Sequence, residues 1–360
     1  METFFCKTKV VSGRGALETL RQLDARCVLV VADPYFVNNG VAQKVAQSLQ
    51  AERTEIFSDI QPDPSVETVA EGVAKLQAVK PDTVVALGGG SAMDCAKAMV
   101  HFSGQTVYFV AIPTTSGSGS EVTDFAVLTH KEVKHPVVNE KLRPDLAILD
   151  ESLLEKLPAR LIADTGFDVL SHALEGFVAT GGGSFTGALA REAFCLAYAH
   201  LPASFAGNTA VRLKVHEAAT MAGMAFTQAG VGLCHAMAHS LGGIFHLPHG
   251  RLNAILLPSV VECNSLVCAD RYAAIARAAG IGGSADRMAV RNLKNALQRL
   301  RREMGMPQTL KEAGIDPRQV WHRAPEVVKA TLADPCCKTN PFPVEDFTVR
   351  RILEEVTGRV

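Results

Sequence analysis

The pattern of strand and helix signals changes once along this chain, near Asp150. Before that residue, apolar strand-like runs alternate with amphipathic helical patterns, which is typical of a parallel α/β sheet. After it the strand signals vanish, and helical patterns follow one another with glycine and proline between them. The sequence therefore predicts an α/β domain over residues 1–155 and an all-α domain over residues 156–360.

Composition agrees with a two-domain enzyme and excludes several other classes. The 360 residues exceed the size at which one hydrophobic core usually suffices, and 48% of them are hydrophobic. A net charge of −1 gives no basic field for nucleic acid, and no uninterrupted apolar stretch approaches the length of a membrane span. The first ten residues lack the features of a signal peptide, so we expect a protein that acts inside the cell, with its nine cysteines reduced.

A strand followed by three glycines and a helix indicates a phosphate-binding turn. The strand-like run Thr83–Leu87 leads into Gly88–Gly90, whose bare backbone lets a pyrophosphate approach the start of a helix. Ser91 is predicted to cap that helix, with Asp94 in the capping-box position. The strict G-x-G-x-x-G fingerprint is absent, and an ordinary glycine-rich turn between strand and helix is the alternative.

Two further segments of the first half have features of a nucleotide site. The loop in VYFVAIPTTSGSGSEVTDFAV is rich in hydroxyls and lies between two strand-like runs, which favours a ligand loop over a linker. The buried strand CVLVVA ends at Asp33, whose carboxylate is suited to bind adenosine ribose hydroxyls and to repel a 2′-phosphate. A plain Asp-Pro turn explains Asp33 equally well.

Potential metal ligands cluster in two segments of the second half. Asp168 and His172 are four residues apart in a helical pattern, so their side chains leave one face of the helix, about 5–6 Å apart at Cβ. The second segment contributes His235, His239, His246 and His249. One carboxylate with up to three imidazoles suits Fe(II) or Zn(II). His235 and His239 repeat the four-residue spacing, so spacing alone favours this pair as ligands. Core or surface histidines without a metal are the alternative.

Together these motifs resemble the group III, iron-dependent alcohol dehydrogenases, and the resemblance runs essentially end to end. It is carried by GGGSAMDCAK, IPTTSGSGSEVT, GFDVLSHALE and CHAMAHSLGGIFHLPHG in that order. The resemblance implies a Rossmann-like α/β nucleotide-binding domain followed by an all-α metal-binding domain, the fold shared with dehydroquinate synthase. Within the family the sequence is most similar to the propanol dehydrogenases of propanediol-utilisation microcompartments, on segments such as KHPVVNEKLRPDLAILD and AGMAFTQAGVGLCHAMAH.

The resemblance also implies site residues. The metal positions correspond to Asp168, His172, His235 and His249. His239 corresponds to a histidine beside the nicotinamide and the substrate, and it is our candidate for the proton relay. The cofactor positions correspond to Asp33, Asp63, Gly89, Gly90, Ser91, Asp94, Thr114, Thr115, Ser118, Thr123, Val127 and Lys134. Asp63 stands where the family commonly has Asn.

The activity implied is reversible, NADH-linked reduction of propionaldehyde or acetaldehyde to the primary alcohol, with one divalent metal ion, Fe(II) or Zn(II). Polyol or lactaldehyde chemistry (glycerol, 1,2-propanediol) and a dehydroquinate synthase-like lyase reaction remain alternatives. A homo-oligomer is expected, in the cytoplasm or inside a microcompartment with a shell protein as partner. The alternating run Thr3–Val11 favours a β-strand, and a targeting role for the N-terminus is the alternative.

Overall fold

The computed structural model describes residues 3–131 and 133–358, without the side chains of residues 132–134. The chain forms two compact units. One is Phe5–Leu157, and the other is Pro158–Val360 together with the few residues before Phe5. The first unit is an α/β unit and the second is helical.

The α/β unit alternates strands with helices. Its described strands are β1 (Lys9–Ser12), β2 (Cys27–Ala32), β3 (Arg53–Phe57), β4 (Thr83–Gly88), β5 (Tyr108–Pro113), β6 (Phe125–His130), β7 (Val133–Val138) and β8 (Leu146–Leu149). Its described helices are α1 (Pro34–Asn38), α2 (Val41–Ser48), α3 (Val66–Val79) and α4 (Gly90–Ser103). Six strands form a parallel sheet in the order β1-β8-β5-β4-β2-β3, and β6 pairs with β7 in an antiparallel hairpin.

Burial on both faces explains why the central strands contain so many apolar residues. Every residue of β4 is buried, and so are nearly all of β2 and β5, because helices cover a parallel sheet on both sides. The order of the strands reverses between β2 and β4, since the chain proceeds to β3 on one side and to β5 and β8 on the other. Ligands of open α/β sheets bind outside the carboxyl ends of the strands at such a point.

The regular elements described for the helical unit are all helices. The α-helices are α5 (Ala159–Val178), α6 (Ser184–Phe205), α7 (Arg212–Ala229), α8 (Leu233–Phe245), α9 (His249–Ala278), α10 (Asp286–Glu303), α11 (Pro317–Ala333) and α12 (Asp346–Thr357). A short 3₁₀ segment, Pro335–Thr339, follows α11. By length and composition α9 resembles a membrane span, yet 67% of its most apolar window is buried inside the protein. It is therefore a core helix of this unit.

The predicted cap of α4 is wrong. Ser91 does not cap the helix, because α4 already begins at Gly90 and Gly89 occupies the cap position. The segment Ala163–Gly166 lies inside α5. Helix α9 continues past Asn264 with a kink at Cys268, where φ is −140° and ψ is 41°.

Candidate functional site

In the α/β unit, the candidate nucleotide residues gather at the carboxyl ends of neighbouring strands. Asp33 follows β2, and its backbone N–H donates to the carbonyl of Leu87 in β4 over 3.0 Å. Its carboxylate also accepts from the backbone N–H of Tyr35 over 2.9 Å, so Asp33 caps α1. Thr114 follows β5 and donates its N–H to the Gly88 carbonyl over 3.0 Å. Asp33 and Thr114 are therefore both tied to the end of β4, at the point where the strand order reverses.

The start of α4 is shaped to receive an anion. The residue before the helix is Gly89, which has no side chain to satisfy the first N–H groups, so these and the positive end of the helix dipole favour a negative ligand. The space between these glycines and the hydroxyl-rich loop is narrow. A Cβ on Gly89 would lie 3.1 Å from Thr115 Oγ1, and a Cβ on Gly90 would lie 3.4 Å from Ser118 Oγ. Glycines at these positions and hydroxyls opposite them suit the pyrophosphate of a dinucleotide.

Other predicted cofactor residues support this loop through contacts inside the protein. The backbone N–H of Asp63, whose φ is 55°, donates to Ser91 Oγ over 3.3 Å. Asp94 accepts from Ser120 Oγ and from the backbone N–H of Val127, each over 3.1 Å. Thr123 Oγ1 accepts from Lys97 Nζ over 2.8 Å. The side chain of Lys134 lies outside the described part of the chain.

In the helical unit, three of the four predicted metal ligands converge. Asp168, His235 and His249, here called the primary trio, present ligand atoms that all lie within 4.8 Å of one another. Asp168 Oδ1 is 3.8 Å from His235 Nε2 and 3.5 Å from His249 Nε2. A carboxylate oxygen and imidazole nitrogens at such separations suit a single Fe(II) or Zn(II) ion, whose bonds to these atoms are about 2.0–2.2 Å long.

The Asn253 side chain shows that these atoms are aimed at a common point. Its Nδ2 donates to Asp168 Oδ1 over 2.9 Å, and the same nitrogen is 3.1 Å from His249 Nε2 and 3.4 Å from His235 Nε2. The amide nitrogen thus lies where the three possible ligand atoms converge. The donor set of the primary trio therefore fits a cation.

His172 lies beside the primary trio and not within it. Its Nδ1 is 3.9 Å from Asp168 Oδ1. Its ring stacks between Phe226, at 4.3 Å between ring centroids, and His235, at 4.4 Å. His246, the remaining histidine of this segment, ends α8 with a left-handed φ of 56°. His172 therefore lies against the trio through the ring of His235, whereas His239 lies against it through the ring of His249.

Glu175 fixes the orientation of His235. This fully buried carboxylate on α5 accepts from His235 Nδ1 over 2.6 Å and from the backbone N–H groups of Gly232 and Cys234 at the start of α8. Burial raises the pKa of Glu175 to about 7, although those N–H groups oppose the change. Because Nδ1 of His235 is held by Glu175, Nε2 of the same ring faces Asp168. Carboxylates that hold the other ring nitrogen orient metal-binding histidines in this way.

The docking of α9 on α5 brings His249 to Asp168. Arg251 donates Nε and Nη2 to the two carboxylate oxygens of Asp164 over 3.1 and 2.6 Å, and both residues are buried. Between them, Gly250 contacts α5 so closely that a Cβ there would lie 2.0 Å from the carbonyl oxygen of Asp164. A glycine after His249 is therefore required for the close packing of α9 on α5.

His239 has a different set of contacts from the primary trio. Its Nδ1 is 2.8 Å from Asp334 Oδ2, and its ring stacks on His249 with 5.1 Å between centroids. The His239 contact and the backbone N–H of Cys336 hold the pKa of Asp334 down to about 2, against the opposing effect of burial. Asp334 is therefore an anion that holds Nδ1 of His239 and orients the ring. Nε2 of His239 remains for other partners.

Glu175, Asn253 and Asp334 are not among the site residues predicted from the sequence. A signal existed for the first, since Glu175 follows Asp168 by seven residues and so lies two helical turns along the same face. Asn253 likewise follows His249 by four residues within one helix. Asp334 gave no such signal, because its partner His239 is 95 residues away in the chain.

Family models and curated relatives match almost the whole chain. Family models match the chain as iron-containing alcohol dehydrogenase over residues 7–151 and as the C-terminal part of the Fe-containing alcohol dehydrogenase family over residues 162–357. The 1-propanol dehydrogenase PduQ of Salmonella typhimurium is 42% identical, over 99% of this chain and 100% of that protein.

Solved structures agree as well. The iron-containing alcohol dehydrogenase of Thermococcus thioreducens is 31% identical with a TM-score of 0.91, over 98% of this chain and 99% of that one. Sulfoacetaldehyde reductase from Bifidobacterium kashiwanohense, solved in complex with NAD+, is 28% identical with a TM-score of 0.89, over 99% of this chain and 98% of that one.

Proposed function

Because the chain belongs to the iron-containing alcohol dehydrogenase family, we propose that it reduces short-chain aldehydes such as propionaldehyde and acetaldehyde to primary alcohols with NADH, reversibly. The cofactors proposed are NAD(H) and one divalent metal ion, Fe(II) in preference to Zn(II). The chain is in any case an oxidoreductase of the alcohol dehydrogenase type. The substrate and the metal are the parts of this statement that need experiment.

The convergence of the primary trio on one point is the observation that carries the proposal. Asp168, His235 and His249 would hold the ion, with His172 as the fourth ligand implied by the family resemblance. An ion held there would act as a Lewis acid on the substrate carbonyl, while the nicotinamide supplies hydride. Burial keeps the pKa of His235 well below its usual range, so the ring is neutral, which is the form that binds a metal.

The residues of this chain contribute binding, orientation and a proton. Gly89, Gly90, Thr115 and Ser118 would hold the pyrophosphate, and Asp33 would bind the adenosine ribose. His239, held at Nδ1 by Asp334, is the proposed donor of the proton that the product alcohol requires. The similarity to 1-propanol dehydrogenase and to an NAD+ complex supports the substrate class and the cofactor.

An anaerobic assay tests the proposal. Protein stripped of metal and reloaded with Fe(II) is mixed with NADH and propionaldehyde, and loss of NADH absorbance is followed with and without a chelator. We expect oxidation of NADH that stops with the chelator and returns with added Fe(II). Activity that survives the chelator would contradict a metal-dependent reductase.

A substrate panel separates the proposal from its alternatives. Acetaldehyde, lactaldehyde and glycerol are compared with propionaldehyde by kcat/KM in the appropriate direction. A higher kcat/KM for lactaldehyde or glycerol would favour the polyol reaction. Turnover of a substrate without net change in NADH would favour a lyase of the dehydroquinate synthase type.

We also propose that the protein forms a homo-oligomer and works in the cytoplasm or inside a microcompartment, in contact with a shell protein. The support is the similarity to PduQ and the sequence resemblance described above. Deleting residues 1–18 tests targeting, and loss of encapsulation with retained solubility would support it. An insoluble product would instead favour a structural role, in line with β1 at the edge of the sheet.

A further inference from the structure

A second group of metal-binding side chains adjoins the primary trio. His239 on α8, Asp334 at the end of α11 and Cys336 in the 3₁₀ segment, here called the cysteine trio, present ligand atoms within 4.8 Å of one another. All three side chains are partly exposed, so an ion from solvent can reach them. The two trios share no residue and are linked by the stacked rings of His239 and His249.

We propose that the cysteine trio is a separate binding site for a thiophilic divalent cation of the Zn²⁺ class, and that occupancy inhibits the enzyme. The donor set of one thiolate, one imidazole and one carboxylate is the kind that Zn²⁺ binds, with water completing the coordination. The primary trio offers only oxygen and nitrogen, so the two sites differ in the metals they favour.

Hydrogen bonds in the local structure hold the three ligand side chains near one another. Asp334 caps the 3₁₀ segment, and its Oδ1 accepts from the backbone N–H of Cys336 over 2.8 Å while Oδ2 faces His239 Nδ1 over 2.8 Å. The carboxylate is thus held between the other two members of the trio. An ion binding there would displace the thiol proton of Cys336 to solvent, and the proton on Nδ1 of the neutral His239 ring would move to Nε2 so that Nδ1 can bind the ion.

The neighbouring cysteine does not belong to the site. Cys337 donates its thiol to the carbonyl of Thr331 over 3.0 Å, within the turn that ends α11. Cys337 is therefore a matched control for Cys336, since the two thiols are adjacent in the chain but differ in their contacts.

Inhibition follows from the place of His239. An ion that binds Nδ1 would break the contact with Asp334 that orients the ring. This consequence rests on the proposed function, whereas the existence of the site does not. The experiment therefore measures binding first and activity second.

Titration of the metal-free protein with Co²⁺ tests the site directly, because Co²⁺ bound to a thiolate has a charge-transfer absorption that oxygen and nitrogen ligands do not give. We expect no such band while the primary trio fills, then a band that grows with a second equivalent. Cys336→Ser should remove the band, and Cys337→Ser should keep it. A wild-type protein without the band, or a Cys336→Ser protein that retains it, would overturn the proposal.

Zinc binding and inhibition complete the test. Equilibrium dialysis should find two Zn²⁺ per wild-type chain and one per Cys336→Ser chain, with thermal melting used to confirm that the variant is folded. In the Fe(II)-loaded enzyme, Cys336→Ser should weaken inhibition by added Zn²⁺ at least about tenfold relative to Cys337→Ser. One Zn²⁺ per wild-type chain, or two per Cys336→Ser chain, would refute the site whatever the substrate of the enzyme proves to be.

Discussion

His239 and His249 stack ring against ring, yet their remaining contacts give them different roles. His249 Nε2 faces Asp168, whereas His239 Nδ1 faces Asp334. We therefore expect His249→Ala to lose a single equivalent of Fe(II) on dialysis. We expect His239→Ala to keep the metal and to lose about 10²- to 10⁴-fold in kcat, the usual contribution of a proton-transferring residue. Metal analysis after dialysis measures the first effect, and steady-state NADH oxidation measures the second. A metal-free His239→Ala protein would make His239 a ligand.

Asp33 should decide between NADH and NADPH. Its carboxylate lies at the carboxyl end of β2, and a 2′-phosphate about 4 Å away would be repelled by about 1 to 4 kcal/mol. Asp33→Asn keeps the oxygen that caps α1 and removes the charge, so it should raise the ratio of kcat/KM for NADPH over NADH about tenfold. Asp33→Gly should do the same but also lose the cap. If the ratio is unchanged in both variants, Asp33 has no part in the choice of cofactor.

The helix period allowed part of the candidate metal site to be predicted from the sequence. Asp168 and His172 recur at four residues on α5, and Glu175 continues the same face. Which histidines of the second segment approach Asp168 depends on how α8 and α9 dock against α5. That docking is set by two contacts of α5: Glu175 accepts from the start of α8, and the Asp164 carbonyl lies against Gly250 at the start of α9. These contacts join residues far apart in the sequence, so spacing alone could not show which histidines meet Asp168.

At the scale of helices, the close approach of α9 to α5 should be essential to the metal site. A Cβ on Gly250 would lie 2.0 Å from a backbone carbonyl that cannot move aside independently of α5. Gly250→Ala should therefore separate the two helices, cost about 1–3 kcal/mol or more in the free energy of unfolding, and weaken metal binding.

Gly243 provides the matched control for this helix packing. It lies inside α8, and a Cβ there would meet nothing within 4 Å. Gly243→Ala should be neutral or should stabilise by up to about 1 kcal/mol, because alanine favours the helix. Chemical denaturation measures the free energy of unfolding of both variants, and metal titration measures their affinity for the ion. Equal effects of the two substitutions would show that the contact of Gly250 with α5 is not what holds His249 in place.

Helix ends were the least predictable elements, and α4 shows why. Ser91 and Asp94 have the spacing of a capping box, but Ser91 Oγ accepts from Asp63 and Asp94 accepts from Ser120 and Val127. Tertiary partners thus take the groups that the local pattern assigned to the helix itself. A free start of α4 is also what an anionic ligand requires, so the failed cap coincides with the candidate site.

At the scale of the molecule, the change from alternating strands and helices to helices alone was readable because it is a property of long segments. Central parallel strands such as β4 are continuous apolar runs, whereas α5 and α9 extend far beyond the length of a strand. Single charged residues buried inside these cores could not be predicted from the sequence. Lys97, on the apolar helix α4, is one of the largest fully buried side chains of the chain.

Lys97 should give the whole protein a characteristic dependence of stability on pH. Its Nζ donates to Ser120 Oγ, Thr123 Oγ1 and the carbonyl of Phe125 over 2.8–3.0 Å. Burial lowers the pKa of Lys97 from 10.5 to about 8. Between these two values the unfolded chain binds more protons than the native one, so the contribution of Lys97 to the free energy of unfolding rises with pH, by about 3 kcal/mol in all.

Buried thiols change the free energy of unfolding with pH in the opposite direction. The contribution of Lys97 is therefore isolated only by comparing the wild type with a Lys97 variant. Burial raises the pKa of Cys95 from 9.0 to about 12, and its contribution to stability therefore falls as pH rises through that range. We expect the free energy of unfolding of wild type minus that of Lys97→Met, measured by denaturant titration, to be flat below pH 8 and to increase from pH 8 to 10.5. Lys97→Met also loses three hydrogen bonds, which shifts the difference by a constant but leaves its slope. Two curves that stay parallel across this window would mean that Lys97 keeps its ordinary pKa in the folded protein, stabilised as an ammonium ion by its three acceptors.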